Sequence, residues 1–170
     1  GEMLQFAVAA DIPASTFNAD RTRHQGVEAG MELRPASWAL LRQAYQFNDF
    51  RFRQDSQYGD NRLPVVPRHL YRAEVRFGTD AFGITPRLEW VPQGGWADYR
   101  NTTRAPGYAL IGLGAEAVVR QGVSLFLDAR NLTAKKAVGD ISAVLLAAPD
   151  TVAFYPVERR AVYGGLRAAF

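Results

Sequence analysis

Apolar and polar residues alternate along most of this chain. In residues 71–77 every odd-numbered position is apolar and every even-numbered position is charged. Similar alternation recurs in residues 27–34, 41–48, 82–90, 109–120, 123–130 and 162–170. A period of two is typical of a β-strand with two different faces. We therefore predict about eight antiparallel strands of roughly 8–14 residues, longer than most strands of soluble sheets, the first using Leu4, Phe6 and Val8.

The connections between these segments are alternately short and long. Short turns are predicted near Pro35, Asp80 and Gln121, and long loops at residues 11–21, 54–67, 93–106 and 132–158. Bacterial outer-membrane barrels have short periplasmic turns and long extracellular loops. The pattern therefore predicts an all-β fold, an antiparallel transmembrane β-barrel. If the turn at Pro35 is periplasmic, the C-terminus is periplasmic too.

The two faces of the predicted strands differ in chemistry. One carries apolar residues, including Val75, Leu113 and Leu125, and the other carries charges, including Arg72, Glu74 and Glu116. In a membrane barrel the apolar stripe contacts lipid and the charged stripe faces a wet interior. Aromatic residues near strand ends fit the interfacial girdle of such barrels, and they are Trp38, Tyr71, Phe77, Phe82, Trp90 and Tyr108.

Composition narrows the chemistry without deciding the fold. The chain of 170 residues fits one domain and has no cysteine, which excludes disulfides and thiolate metal sites. Its net charge of +3 comes from mixed signs, so no nucleic-acid partner is predicted. His24 and His69 lack metal-ligand spacing, so we predict no metal site, cofactor or enzymatic activity. Because an exported protein needs a signal, we expect one upstream of Gly1.

Five segments resemble, in order, the last strands of TonB-dependent outer-membrane receptors. They are residues 24–28 (HQGVE), 45–52 (YQFNDFRF), 59–69 (GDNRLPVVPRH), 128–136 (DARNLTAKK) and 154–160 (FYPVERR). Ala134 and Ala137 depart from the family pattern, which commonly has Asp and Tyr at those positions. The resemblance covers nearly the whole chain.

The resemblance implies that residues 1–170 are the C-terminal part of a barrel of roughly 22 strands, with the plug domain lying upstream. It also implies TonB-dependent uptake of a metal chelate, such as a ferric siderophore. The expected partners are outer-membrane lipid, the rest of the barrel and its plug, TonB through the upstream region, and the barrel assembly machinery.

Two groups of residues are candidates for function. Aromatic and arginine side chains in the predicted loops suit an anionic, ring-bearing chelate, and they are Tyr58, Arg62, Trp96, Tyr99, Arg100 and Arg104. The resemblance also points to a C-terminal signal read by the assembly machinery, formed by Tyr163, Gly165, Ala168 and Phe170. The charged stripes are interpreted as cross-strand pairs that line a hydrated lumen.

Two alternatives remain open from the sequence. A small self-closed barrel would serve as a membrane anchor or scaffold, with its charges paired in a narrow interior. A soluble lipocalin-like binder would instead direct Val75, Leu113 and Leu125 into a cavity for an apolar ligand.

Overall fold

The long alternating segments form one antiparallel sheet in the computed structural model, which describes residues 2–6, 15–148 and 151–169. Its seven strands are β3 (Thr22–Ala36), β4 (Ala39–Phe52), β5 (His69–Gly78), β6 (Phe82–Val91), β7 (Tyr108–Arg120), β8 (Val123–Arg130) and β11 (Ala161–Ala168). Each strand pairs with the one before it in this order. The all-β antiparallel prediction is confirmed.

Four short strands lie outside this sheet and form two hairpins. β1 (Glu2–Phe6) pairs with β2 (Ser15–Ala19), and β9 (Val138–Ser142) pairs with β10 (Ala153–Pro156). The predicted first strand is confirmed at Leu4 and Phe6, but it lies in a separate hairpin rather than in the large sheet, and Val8 lies outside the described residues. The hairpin β9–β10 lies inside the predicted long loop 132–158, where no strand was expected. Short segments of this kind do not show a clear period in the sequence.

Short and long connections lie at opposite ends of the sheet. Residues 37–38, 79–81 and 121–122 form the short turns, and residues 53–68, 92–107 and 131–160 form the long connections. β11 ends beside the start of β8, where Ala168 pairs with Val123, so it ends at the short-turn end. The predicted alternation is confirmed for these connections, whereas the predicted long loop 11–21 contains β2 (Ser15–Ala19) and lies partly outside the described residues.

The sheet is open among the described residues. β3 pairs only with β4, and β11 pairs only with β8, so each outer strand has an unpaired edge in this part of the chain. An open edge leaves backbone donors and acceptors without partners, which hydrocarbon does not tolerate. These residues therefore do not form the self-closed barrel considered as an alternative.

The register separates an apolar face from a charged face. Arg42 pairs with Glu74, whereas their neighbours Leu41 and Val75 pair on the opposite side. The apolar face is not a protein core among the described residues, since Leu125 is 48% exposed. Val75 and Leu113 are also not buried, which argues against a lipocalin-like cavity.

Aromatic residues mark both ends of the apolar face. Trp38 and Phe77 stack with ring centres 6.2 Å apart at the short-turn end, and Tyr71 pairs with Trp90 towards the loop end. The prediction that Tyr108 belongs to the aromatic girdle is wrong. Tyr108 pairs with Val91, and its hydroxyl donates to Glu89 at 2.9 Å on the charged face.

The most deeply buried side chains lie at the loop end. Phe52, Val91, Val144 and Asp98 are the largest fully buried residues. No helix long and apolar enough to cross a membrane occurs in the described ranges.

Candidate functional site

A row of ion pairs crosses the charged face from strand to strand. Arg42 lies 2.9 Å from Glu32 on β3 and 3.2 Å from Glu74 on β5. Arg87 on β6 continues the row, at 3.8 Å from Glu74 and 2.7 Å from Asp128 on β8. The prediction of cross-strand charge pairing is confirmed by these contacts. The pair of Arg87 and Asp128 joins β6 to β8, which are separated in the sheet by β7.

Two glycines let arginine side chains pass over a strand. Arg76 on β5 reaches Glu116 on β7 at 2.9 Å, and a Cβ added to Gly83 between them would lie 2.8 Å from the Arg76 guanidinium. Arg87 crosses β7 in the same way, since a Cβ at Gly114 would lie 2.7 Å from its guanidinium. Each glycine therefore leaves room for the close approach of an arginine side chain.

The ion pairs on the charged face are largely solvated. Side-chain exposure is 51% for Arg42 and 46% for Arg87, with 20% for Asp128. Pairs exposed to this extent contribute little to stability. The row therefore makes a hydrated surface of both signs, with little excess charge to attract one kind of ion.

The three long connections pack together with the hairpin β1–β2, and we call this unit the loop assembly. Its core contains Phe52 at the end of β4, with Tyr58 and Tyr99 from two different connections. Phe52 and Tyr58 have ring centres 4.9 Å apart, and Phe17 of β2 meets Tyr99 edge-on at 5.0 Å. Ring pairs of this kind add to the apolar burial, so the loops hold a fixed arrangement.

A fully buried aspartate shapes the second long connection. Asp98 accepts hydrogen bonds from the backbone N–H of Thr102 at 3.0 Å, the Thr102 hydroxyl at 2.9 Å and the Thr103 N–H at 2.9 Å. Buried carboxylates are retained only with such partners. The sequence analysis did not select Asp98, although an aspartate followed by polar turn residues is a signal for this arrangement.

An asparagine joins the second long connection to the first. The Asn101 side chain accepts from the Arg62 N–H at 2.8 Å and donates to the Arg62 carbonyl at 2.9 Å. Its φ of 58° is in the left-handed region, which asparagine tolerates better than most residues. Asn61 also donates to the Tyr99 carbonyl at 3.0 Å. The two connections therefore behave as one unit.

Comparison with protein-family models identifies the class of this sheet. Residues 4–132 match the model for the TonB dependent receptor-like β-barrel. The chain belongs to this family. The resemblance found in the sequence is thereby confirmed. The family is one of receptors and transporters, which supports an outer-membrane location and gives no indication of an enzyme.

Solved structures similar to this chain include an uptake receptor, a siderophore receptor and a copper transporter. The ferric yersiniabactin uptake receptor FyuA from Yersinia pestis aligns with a TM-score of 0.75 and 20% identity over 92% of this chain and 25% of that one. The siderophore receptor PiuA from Acinetobacter baumannii aligns with a TM-score of 0.71 and 18% identity, over 96% of this chain and 24% of that one. The copper transporter OprC aligns with a TM-score of 0.76 and 16% identity, over 99% of this chain and 28% of that one.

These identities show the shared fold alone. The chain spans about a quarter of the length of each of these three structures. A search of curated protein sequences gave no significant match.

Within this TonB-dependent receptor barrel, two of the six predicted ligand residues fill the core of the loop assembly. Tyr58 and Tyr99 are each 4% exposed. Burial raises the pKa of the Tyr58 hydroxyl above its usual value. For these two residues contact with a ligand stays a prediction, and their burial gives it no support.

The other four predicted residues lie nearer the surface. Arg104 is 5.1 Å from the centre of the Trp96 ring, while Arg100 is exposed and lies 6.0 Å from the Tyr58 ring. Burial lowers the pKa of Arg62 and of Arg104, and nearby Arg68 adds to both shifts. Arg62 lies opposite Arg51 in register, on the apolar-face side. Arg100 is therefore the most accessible of the six.

A cavity of about 650 Å³ in the third long connection was missed by the sequence analysis. Lys135, Lys136, Arg159 and Phe154 contribute to its lining. Its basic and aromatic side chains resemble those of the predicted ligand residues, but most of its lining comes from two separate segments, residues 135–138 and 154–159. Among the described residues, no group of three or more histidines or carboxylates is placed to hold a metal ion.

The predicted assembly signal lies on β11, at the edge of the sheet. The Tyr163 ring lies 4.9 Å from the Arg130 guanidinium, and its hydroxyl donates to Glu158. Gly165 lies beneath the Phe126 ring, which a Cβ would meet at 2.6 Å. Ala168 ends the strand, and Phe170 lies outside the described residues. The role of these four residues in assembly stays a prediction.

Proposed function

We propose that this chain is the C-terminal part of the barrel of an outer-membrane receptor for TonB-dependent uptake of a metal chelate of the ferric siderophore type. Family membership supports this, together with one structural observation. The sheet has an exposed apolar face, a charged face and a packed loop assembly at one end. In a membrane these features correspond to a lipid contact, a hydrated lumen and an outward-facing binding surface. The C-terminus then lies on the periplasmic side, with the short turns.

The remaining parts of the transporter follow from the family. The unpaired edges of β3 and β11 require further strands of the same barrel. A plug in the lumen would meet the charged face, whose mixed charges suit a polar partner. TonB would act through the plug side, and the assembly machinery would read the end of β11.

The loop assembly is the proposed site of ligand contact, with Arg100 at its surface. A guanidinium group can bind an anionic chelate through charge-assisted hydrogen bonds. The cavity beside Lys135, Lys136 and Arg159 supplies further positive charge. The buried Tyr58 and Tyr99 hold this surface in place rather than forming it.

Uptake of a labelled chelate by intact cells tests the proposal. Cells that carry the receptor containing this chain should accumulate a ferric chelate, and cells lacking either the receptor or TonB should not. A panel of ferric siderophores and free copper distinguishes chelate uptake from uptake of the metal alone. Accumulation that does not depend on TonB would refute the transport proposal.

Replacement of Arg100 tests the binding surface separately. Arg100→Gln removes an exposed charge and should weaken binding of an anionic chelate by roughly tenfold, measured by equilibrium titration of the purified receptor. Arg120→Gln is the matched control, because Arg120 lies at the short-turn end. Equal affinities for the two variants would exclude Arg100 from the ligand site.

A further inference from the structure

Three arginines gather around one carboxylate at the loop end of the apolar face. Arg23 on β3 pairs in register with Arg51 on β4, and Arg62 lies opposite Arg51 from the first long connection. Their guanidinium groups approach the carboxylate of Asp49 to 2.6, 2.5 and 3.1 Å, respectively. Arg68 lies nearby, with its guanidinium carbon 5.3 Å from the centre of the Phe47 ring. We call these four arginines the arginine cluster.

The arginine cluster has more positive charge than Asp49 can neutralise. Among the described residues, Arg68 forms no ion pair with a carboxylate, and the Nε of Arg23 is buried without a hydrogen-bond partner. The side chains of Arg23, Arg51 and Arg62 remain partly exposed, at 33%, 27% and 24%. Donors are therefore still available to an anion.

The position of the arginine cluster indicates which anion it meets. A transmembrane strand needs about 9–11 residues, and a stretch of that length counted from Ala39 ends beside Asp49. Asp49 and Arg51 lie on the same face as Tyr45 and Phe47, the face that would contact lipid. The arginine cluster therefore lies where hydrocarbon gives way to headgroups on the long-loop side.

We infer that the arginine cluster binds the phosphate groups of lipid headgroups in the outer leaflet. The inference rests on the proposed membrane orientation. Planar guanidinium groups match the geometry of phosphate oxygens and can bind them in pairs. The shared contact with Asp49 holds three of the four groups side by side before a phosphate arrives, so little side-chain entropy is lost on binding.

The experiment uses the intact receptor purified in an uncharged detergent. It is titrated with phosphatidic acid, with phosphatidylcholine and with inorganic phosphate, and bound lipid is counted by native mass spectrometry. Phosphatidic acid should bind, phosphatidylcholine should bind weakly, and inorganic phosphate should compete only at high concentration. If inorganic phosphate binds as tightly as phosphatidic acid, the site is for free phosphate and the inference is overturned.

Arginine variants test whether lipid binding depends on the positive charge of the arginine cluster. Arg68→Gln should weaken phosphatidic acid binding by roughly fivefold, and the triple change of Arg23, Arg51 and Arg62 to Gln by several tens of fold. The matched control changes Arg34, Arg120 and Arg167 to Gln at the short-turn end and should bind like the original protein. Equal binding by the control and the Arg68→Gln variant would overturn the inference.

Two further measurements guard against a folding defect and against failure of the proposed function. Heat-modifiable gel mobility is compared for the original receptor and each variant; a triple variant with unchanged mobility that still binds phosphatidic acid as tightly as the original receptor would contradict the inference. Chelate uptake by the same strains is measured in parallel. If the original receptor takes up chelate but the arginine variants bind lipid as it does, only this inference is overturned. If the original receptor takes up no chelate, the proposed function is refuted.

Discussion

The seven-stranded sheet and the loop assembly bury their apolar residues in different ways. In the sheet, large apolar side chains such as Val27, Leu125 and Leu166 are 58%, 48% and 62% exposed. In the loop assembly, Phe52 is fully buried and packs against Tyr58. A sheet in a membrane needs no protein core behind its apolar face, because lipid supplies the apolar surroundings. Loops that extend into water must form a core of their own.

The largest expected effect comes from removing a ring from the core of the loop assembly. Phe52→Ala should destabilise the packed loops by about 3–5 kcal/mol, since it deletes a buried aromatic side chain and leaves a cavity. Trypsin cleavage in the long connections should accelerate by roughly a hundredfold or more as the loops open.

Phe77→Ala is the control from the sheet. Phe77 is 43% exposed on the apolar face at the short-turn end, so its loss should leave trypsin cleavage of the loops unchanged. Similar acceleration by both variants would show that the loops have no core independent of the sheet.

A smaller effect is expected when a methyl group is added where an arginine side chain crosses a strand on the charged face. Gly114→Ala puts a methyl group 2.7 Å from the Arg87 guanidinium where it crosses β7, so we expect this flexible side chain to move and its ion pair with Asp128 to weaken. Because this pair is partly solvated, the cost should be about 1 kcal/mol, seen as a lower midpoint of thermal unfolding.

Gly164→Ala is the matched control on the apolar face. A Cβ there meets its nearest atom at 3.6 Å, an ordinary contact. The difference between the two alanine variants should shrink in high salt, because salt screens exposed ion pairs. A difference that salt does not change would mean that steric crowding, not the ion pair, sets the cost.

The smallest effect concerns an exposed carboxylate in the loop assembly. Asp20 accepts from the Ser56 hydroxyl at 2.7 Å and its N–H at 2.8 Å, and these bonds lower the pKa of Asp20 below 3.8. A lowered pKa in the folded state stabilises the fold above the unfolded-state pKa, and this stabilisation is lost as pH falls through the folded-state pKa.

The expected result is a small shift of the thermal midpoint in Asp20→Asn that is constant from neutral pH down to about 4 and disappears below it. A shift that persists unchanged at pH 2 would mean that the Asp20 charge makes no contribution.

Much of the sheet could be predicted because its signals are local. Alternation in residues 71–77 and 109–120 gave the strands and assigned each residue to a face, and turn residues such as Gly122 marked the hairpins. Tyr108 was assigned to the wrong face because an aromatic residue near a strand end can lie on either side. The hairpin β9–β10 escaped prediction because its strands have only five and four residues.

The candidate site was less predictable. Tyr58 and Tyr99 were predicted to contact a ligand because of their residue types, but their rings form the core of the loop assembly. Asp98 was not selected, although its hydrogen bonds determine the shape of residues 98–103. Loop residues have no period, so which of them face inward depends on contacts with other loops.

The order of residues along the chain is enough to predict the antiparallel strands, their two faces, most of the turns and loops, and the receptor family. These features follow from the geometry of a single strand and from short motifs. The folded chain is needed to see that Arg87 crosses over Gly114, that three loops share one core, and that Arg23, Arg51 and Arg62 meet at Asp49. Such contacts join residues far apart in the chain, and their existence depends on register and close approach, which no local pattern encodes.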